Sequence, residues 1–146
     1  MYPALFRLSL GLLLLFAFSC ESNVIEPAPL EFDTDEELII YSKTIQPIFN
    51  QHCSGSGCHI GERTSGAEYT TYESAIHSVG DQYETFVIAP GKPEPENSPV
   101  IDKLISRDPR FGQQMPLDNP GSLTDEELQA LITWIDQGAR NIPENP

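Results

Sequence analysis

His52-Cys53-Ser54-Gly55-Ser56-Gly57-Cys58-His59 is the stretch on which the reading of this chain turns. Two thiols stand with four residues between them, and a histidine follows the second at once. A cysteine pair ending in histidine suggests covalent attachment of a c-type haem. The logic is one of reach. Two thiols must meet two vinyl groups on one porphyrin edge, and the next residue then lies beneath the iron, where an imidazole nitrogen coordinates it. The usual spacer has two residues. Ser-Gly-Ser-Gly is small and permissive enough to loop out without a side chain striking the macrocycle.

Other chemistry fits the same residues. Cys53 and Cys58 could close a simple disulfide in an exported protein. They could also form half of a zinc site, since C-x4-C falls within zinc spacing. A zinc site needs a fourth ligand beyond Cys53, Cys58 and His59, and His52 and His77 are the only other histidines. A thiol redox pair favours two intervening residues beside a βαβ pattern, which is missing here.

Upstream, Arg7 precedes an apolar run of 11 residues, Leu8 to Phe18. That length is too short for a bilayer span and right for a signal-peptide core. It ends in Ala17-Phe18-Ser19-Cys20, which resembles a bacterial lipobox with Cys20 as the lipidated first residue. Residues 1–19 are therefore expected to be a lipoprotein signal peptide. Residues 20–38 follow as a flexible tether: residues 21–38 hold seven acids, two prolines and no base. Extended, they would reach roughly 60 Å. Residues 39–146 remain as the folded domain. Glu21 and Ser22 lack the aspartate that retains lipoproteins at the inner membrane of enteric bacteria, so a periplasm-facing outer-membrane anchor is slightly favoured.

Over the whole chain of 146 residues, 22 acids oppose 8 bases, a net charge of −14. Nothing in that balance releases counterions from nucleic acid, which excludes direct phosphate binding. A partner with a basic docking face suits it.

Downstream, Met115 is the only methionine left once Met1 leaves with the signal. It lies in Phe111-Gly112-Gln113-Gln114-Met115-Pro116, and the proline biases it toward an extended backbone. A lone loop methionine is a poor core filler, so Met115 is the expected sixth ligand, with His77 second. Filling both axial positions with His and Met raises the potential and suits electron transfer rather than chemistry on a bound substrate. Lys92 and Arg110 are basic residues that could face haem propionates.

Four short helices are expected. Tyr41, Ile45, Ile48 and Phe49 keep helical spacing up to Cys53. Others run near Tyr72–Ser78 and Ser98–Ser106. The last is the clearest: Thr124 and Glu127 form a capping box, with Leu123 and Leu128 as its staple. Leu128, Leu131, Ile132 and Ile135 then share one face, and Gly138 follows as a cap. Glu84–Ala89 is the best strand candidate and is short. With 13 prolines and 10 glycines the loops are long, and four such helices bury little apolar surface unless a cofactor adds to the core.

Taken together the pieces resemble a family. Ile45-Gln46-Pro47-Ile48-Phe49, Cys53, Cys58-His59 resembles the opening of the Planctomycete-type cytochrome c domain and its bacterial relatives. Pro90-Gly91-Lys92-Pro93 with Ser98-Pro99-Val100 resembles its middle. Met115-Pro116, Leu123-Thr124 and Trp134-Ile135-Asp136-Gln137-Gly138-Ala139 resemble its close. The resemblance implies an all-α, cytochrome c-like fold around one haem c. It makes Cys53 and Cys58 the attachment thiols, His59 the proximal ligand and Met115 the distal ligand. An electron carrier is the function implied. A small haem peroxidase or sensor with an open sixth site, and an exported lipoprotein binding module with a Cys53–Cys58 disulfide or zinc clip, are the alternatives.

Overall fold

The structure is a computed structural model that describes residues 38–143. The signal segment, the Cys20 lipidation site and the tether as far as Glu37 lie outside the described residues. Among the described residues no helix is long and apolar enough to cross a membrane.

Tyr41, Ile45, Ile48 and Phe49 are all buried, as their spacing requires. The chain achieves this with a π-helical turn, Tyr41–Ile45, that runs directly into α1, Gln46–His52. Pro47 lies in the first turn of α1, where its fixed φ already suits a helix. Helix α2, Tyr72–His77, starts at a Thr71–Ser74 capping box. There Ser74 N donates to Thr71 Oγ1 at 3.1 Å and Thr71 N to Ser74 Oγ at 3.0 Å.

Two short strands follow, β1 (Val79–Gly80) and β2 (Thr85–Phe86). They pair antiparallel, Val79 opposite Phe86 and Gly80 opposite Thr85. The small sheet adds to the all-α expectation, with β2 inside the short strand candidate Glu84–Ala89 and β1 outside it. Val79, Thr85 and Phe86 are all exposed, so no inside–outside alternation marks the strands. The ladder is held by main-chain bonds, which side-chain periodicity does not report.

Helix α3, Pro99–Ile105, buries Val100, Ile101 and Asp102. Helix α4, Asp125–Asp136, begins at the Thr124–Glu127 capping box, with both reciprocal bonds present at 2.9 and 3.1 Å. Its end is closed by Gly138 N to Ile135 O at 3.0 Å and Ala139 N to Trp134 O at 2.8 Å, the paired bonds of a Schellman motif.

Leu131, Trp134 and Ile135 carry the buried face of α4 into the core with Tyr41, Ile45 and Phe49. The Trp134 and Tyr41 rings lie 5.3 Å apart, and Tyr72 meets Tyr41 edge-on at 5.2 Å. Trp134 Nε1 donates to Arg140 O at 2.9 Å, so the indole is buried without an orphaned donor. Complete burial of each large apolar side chain here contributes about 1.5–3 kcal/mol. The π turn, α1 and α4 thus form the firm half of the molecule, and the Cys-His segment leaves directly from it.

Candidate functional site

The last turn of α1 delivers Cys53, whose N–H donates to Phe49 O at 2.8 Å. The spacer then folds back on itself: Cys58 N reaches Gly55 O at 3.2 Å and His59 N reaches Cys53 O at 2.9 Å. That return requires φ of +125° at Gly55 and +76° at Gly57. A Cβ on Gly55 would stand 3.3 Å from Cys58 Sγ, so the absence of a side chain makes room for the sulfur. Thr64 Oγ1 donates to Cys58 O at 2.6 Å and holds the far end of the loop. Both cysteines are free thiols. Burial, and then the neighbouring Cys58, push the Cys53 thiol up to about 12. It therefore stays protonated at neutral pH in the chain by itself.

His59 is oriented by two neighbours. Its Nδ1 lies 3.1 Å from Ala67 O. A carbonyl can only accept, so Nδ1 carries the proton and Nε2 keeps its lone pair. Nε2 has no hydrogen-bond partner among the described residues. This is how a protein presents an imidazole as a ligand, with one nitrogen tied down and the other offered. The ring also leans on Tyr69, centroids 5.2 Å apart, and Tyr69 stacks on Phe49 at 4.5 Å. Tyr69 N donates back to His59 O at 2.7 Å. The Ala67 carbonyl is set in place by Gly66, at φ +85°, where an added Cβ would lie 2.8 Å from Asp81 N and closer still to Val79 O.

The opposite wall is α3 and the loop behind it. Met115 N donates to Lys103 O at 2.8 Å, and Gln114 Nε2 to Leu104 O at 3.0 Å. Lys103 Nζ donates to Phe111 O and, at 3.2 Å, to Gln113 O. Asp102 fastens the start of the same loop: it accepts from Tyr83 OH at 2.7 Å and from Arg110 N at 3.0 Å. The Arg110 guanidinium completes that node, 3.7 Å from Asp102 and stacked 5.0 Å from the Tyr83 ring centre.

A cavity of about 230 Å³ is lined by Cys53, His59 and Tyr69 together with Val100, Leu104 and Met115. Three of the four residues expected at a haem site therefore meet at one space, although Met115 stands far down the chain from the first two. Cys58 does not join that lining.

His77, the second choice for a sixth ligand, is outside the cavity. It lies on the solvent face of α2, its side chain 67% exposed and 3.5 Å from Glu73. His52 is engaged elsewhere, with Nδ1 3.2 Å from Ser122 Oγ and Nε2 3.1 Å from Glu127. Among the described residues no three His, Cys, Asp or Glu side chains converge as a metal site. Lys92 and Arg110 do not line the cavity, whereas Lys103 does. The sequence pattern missed Tyr69, Gly66 and Lys103. Only the dense glycines after His59 and the position of Lys103 on α3 hinted at them.

No family model, curated protein or solved structure matches this chain. The site rests on its own geometry.

Proposed function

We propose that this chain is an electron-transfer protein carrying one covalently attached c-type haem. Its cytochrome c-like domain would be tethered by a lipid on Cys20 to a bacterial membrane, facing the periplasm. The observation that carries the reading is the convergence of Cys53, His59 and Met115 on a single cavity.

Three of the four expected donors border the cavity, which supports the reading, while Cys58 does not. Cys53 and Cys58 would hold the porphyrin as thioethers, and His59 Nε2 and the Met115 sulfur would ligate its iron. When bound, the haem supplies a one-electron couple and no bond-making chemistry. The chain's own residues supply the rest. The Ala67 carbonyl holds the His59 proton on Nδ1 and keeps the ring from turning. Tyr69 leans on the imidazole and is itself stacked on Phe49, so buried aromatic core backs the ring. Val100 and Leu104 give the space an apolar wall, which favours the less charged, reduced state of a metal centre. The net charge of −14 would steer the protein to a basic docking face, with association slowing as salt rises.

The test is a pyridine haemochrome assay on denatured protein made alongside haem-maturation machinery. Covalent haem in the wild type and its loss in Cys58→Ala are the results expected. A colourless protein with a Cys53–Cys58 disulfide would instead favour an exported binding module. Covalent haem without a thioether signature from Met115 would favour the peroxidase or sensor reading.

A further inference from the structure

The loop that carries Met115 is tied at its start to Asp102 and further on to the end of α3. The last four carbonyls of a helix have no partner within it. At the end of α3, two of these, on Lys103 and Leu104, are taken by Met115 N and Gln114 Nε2. The Lys103 side chain turns back over the same loop and donates to the carbonyls of Phe111 and Gln113. One residue thus grips residues 111–115 at three places, by its own carbonyl and by its ammonium. Lys103 is itself held firmly, because its predecessors Val100, Ile101 and Asp102 are buried. It also lines the cavity beside Met115.

We propose that Lys103 is the positioning residue for the sixth ligand: it clamps the 111–115 loop to the end of α3 and so keeps Met115 at the cavity that His59 also lines. The inference rests on the haem reading and adds to it the part of the chain that decides whether the sixth position is closed. A lysine that merely balanced charge in the cavity would not need both carbonyls. Gly112 sits against the clamp: a Cβ there, at φ +69°, would stand 2.8 Å from Lys103 Nζ.

The experiment compares wild type, Lys103→Leu and Lys103→Arg as haem-loaded proteins, with covalent haem first measured by haemochrome. Two readouts follow. One is the near-infrared charge-transfer band from thioether sulfur to ferric iron. The other is the affinity of the ferric protein for added imidazole. Lys103→Leu keeps its covalent haem, loses most of the band and binds imidazole at least about tenfold more tightly; Lys103→Arg, which can still donate to both carbonyls, restores most of both. Unchanged band and affinity in Lys103→Leu, with haem intact, overturns the clamp and leaves the haem reading standing. A wild type with covalent haem but no thioether band overturns the clamp and the Met115 assignment together. A wild type without covalent haem overturns the haem reading itself. Should Lys103→Leu fail to fold, Gly112→Ala attacks the clamp from the loop side. In the haem-free chain either variant should speed amide exchange at Met115 N–H about tenfold or more; unchanged exchange overturns the proposal without reference to haem.

Discussion

The two walls of the cavity are built differently. Cys53 and His59 are carried by main chain that leaves the hydrophobic core directly, and Phe49 and Tyr69 continue that core up to the imidazole. Met115 is carried by a loop with little core of its own. Phe111 and Leu117, at its two ends, are 41% and 59% exposed, and polar bonds to α3 do the holding. Packing is short-ranged and hard to deform, whereas a loop held by a few hydrogen bonds opens at lower free energy. The imidazole side therefore behaves as fixed architecture and the thioether side as a part that can detach.

The largest test of that contrast is Phe49→Ala. Phe49 is 1% exposed and stacked on Tyr69, so its truncation should cost about 3–5 kcal/mol in denaturant unfolding. A loss below about 1 kcal/mol would mean that the first wall is not core-built. Asp102→Asn comes next. It removes the charge that receives Tyr83, Arg110 N and the Arg110 guanidinium, at about 1–3 kcal/mol. Limited proteolysis should locate the new cleavage between residues 107 and 117; cleavage near the spacer instead would erase the distinction between the walls.

Met115→Ala should be milder for stability, roughly 1–2 kcal/mol, because the side chain is only half-buried. In the loaded protein it should remove the thioether signature while leaving covalent haem in place. Loss of the haem as well would show that the two walls are not independent.

Glu127→Gln is the smallest. Its carboxyl is held below the usual range first by the Thr124 N–H and then, after a small opposing desolvation, by His52. A lowered folded-state pKa adds stability that is present above the unfolded value, near 4.3, and is lost as pH falls through the folded one. Glutamine keeps the capping geometry and removes that dependence. The wild-type advantage at neutral pH should be below about 1 kcal/mol, since the carboxylate is partly solvated, and should vanish in acid. Parallel acid-unfolding curves for the two proteins would remove the electrostatic tie between α1 and the segment that follows Met115.

Much of this molecule was legible before any coordinates. The Thr124–Glu127 box and the face of Leu131 and Ile135 announce α4, because capping and helical spacing are local properties. Gly55 and Gly57 announce a spacer that must turn back, because few other residues reach those angles. β2 falls inside the Glu84–Ala89 stretch that is the best strand candidate of the sequence, whereas β1 was not legible, since a two-residue strand carries no periodicity.

What the chain declares by itself is its chemistry: two thiols, an imidazole and a lone thioether, on helices whose ends and faces are written in neighbouring residues. Which of those groups share a space was decided by tertiary structure alone. Met115 lines the same cavity as His59, and His77 does not, because α3 and Lys103 hold one loop inward while α2 leaves the other histidine in solvent. Local spacing sets the direction of a side chain within its own element. Only packing between distant elements sets what it meets.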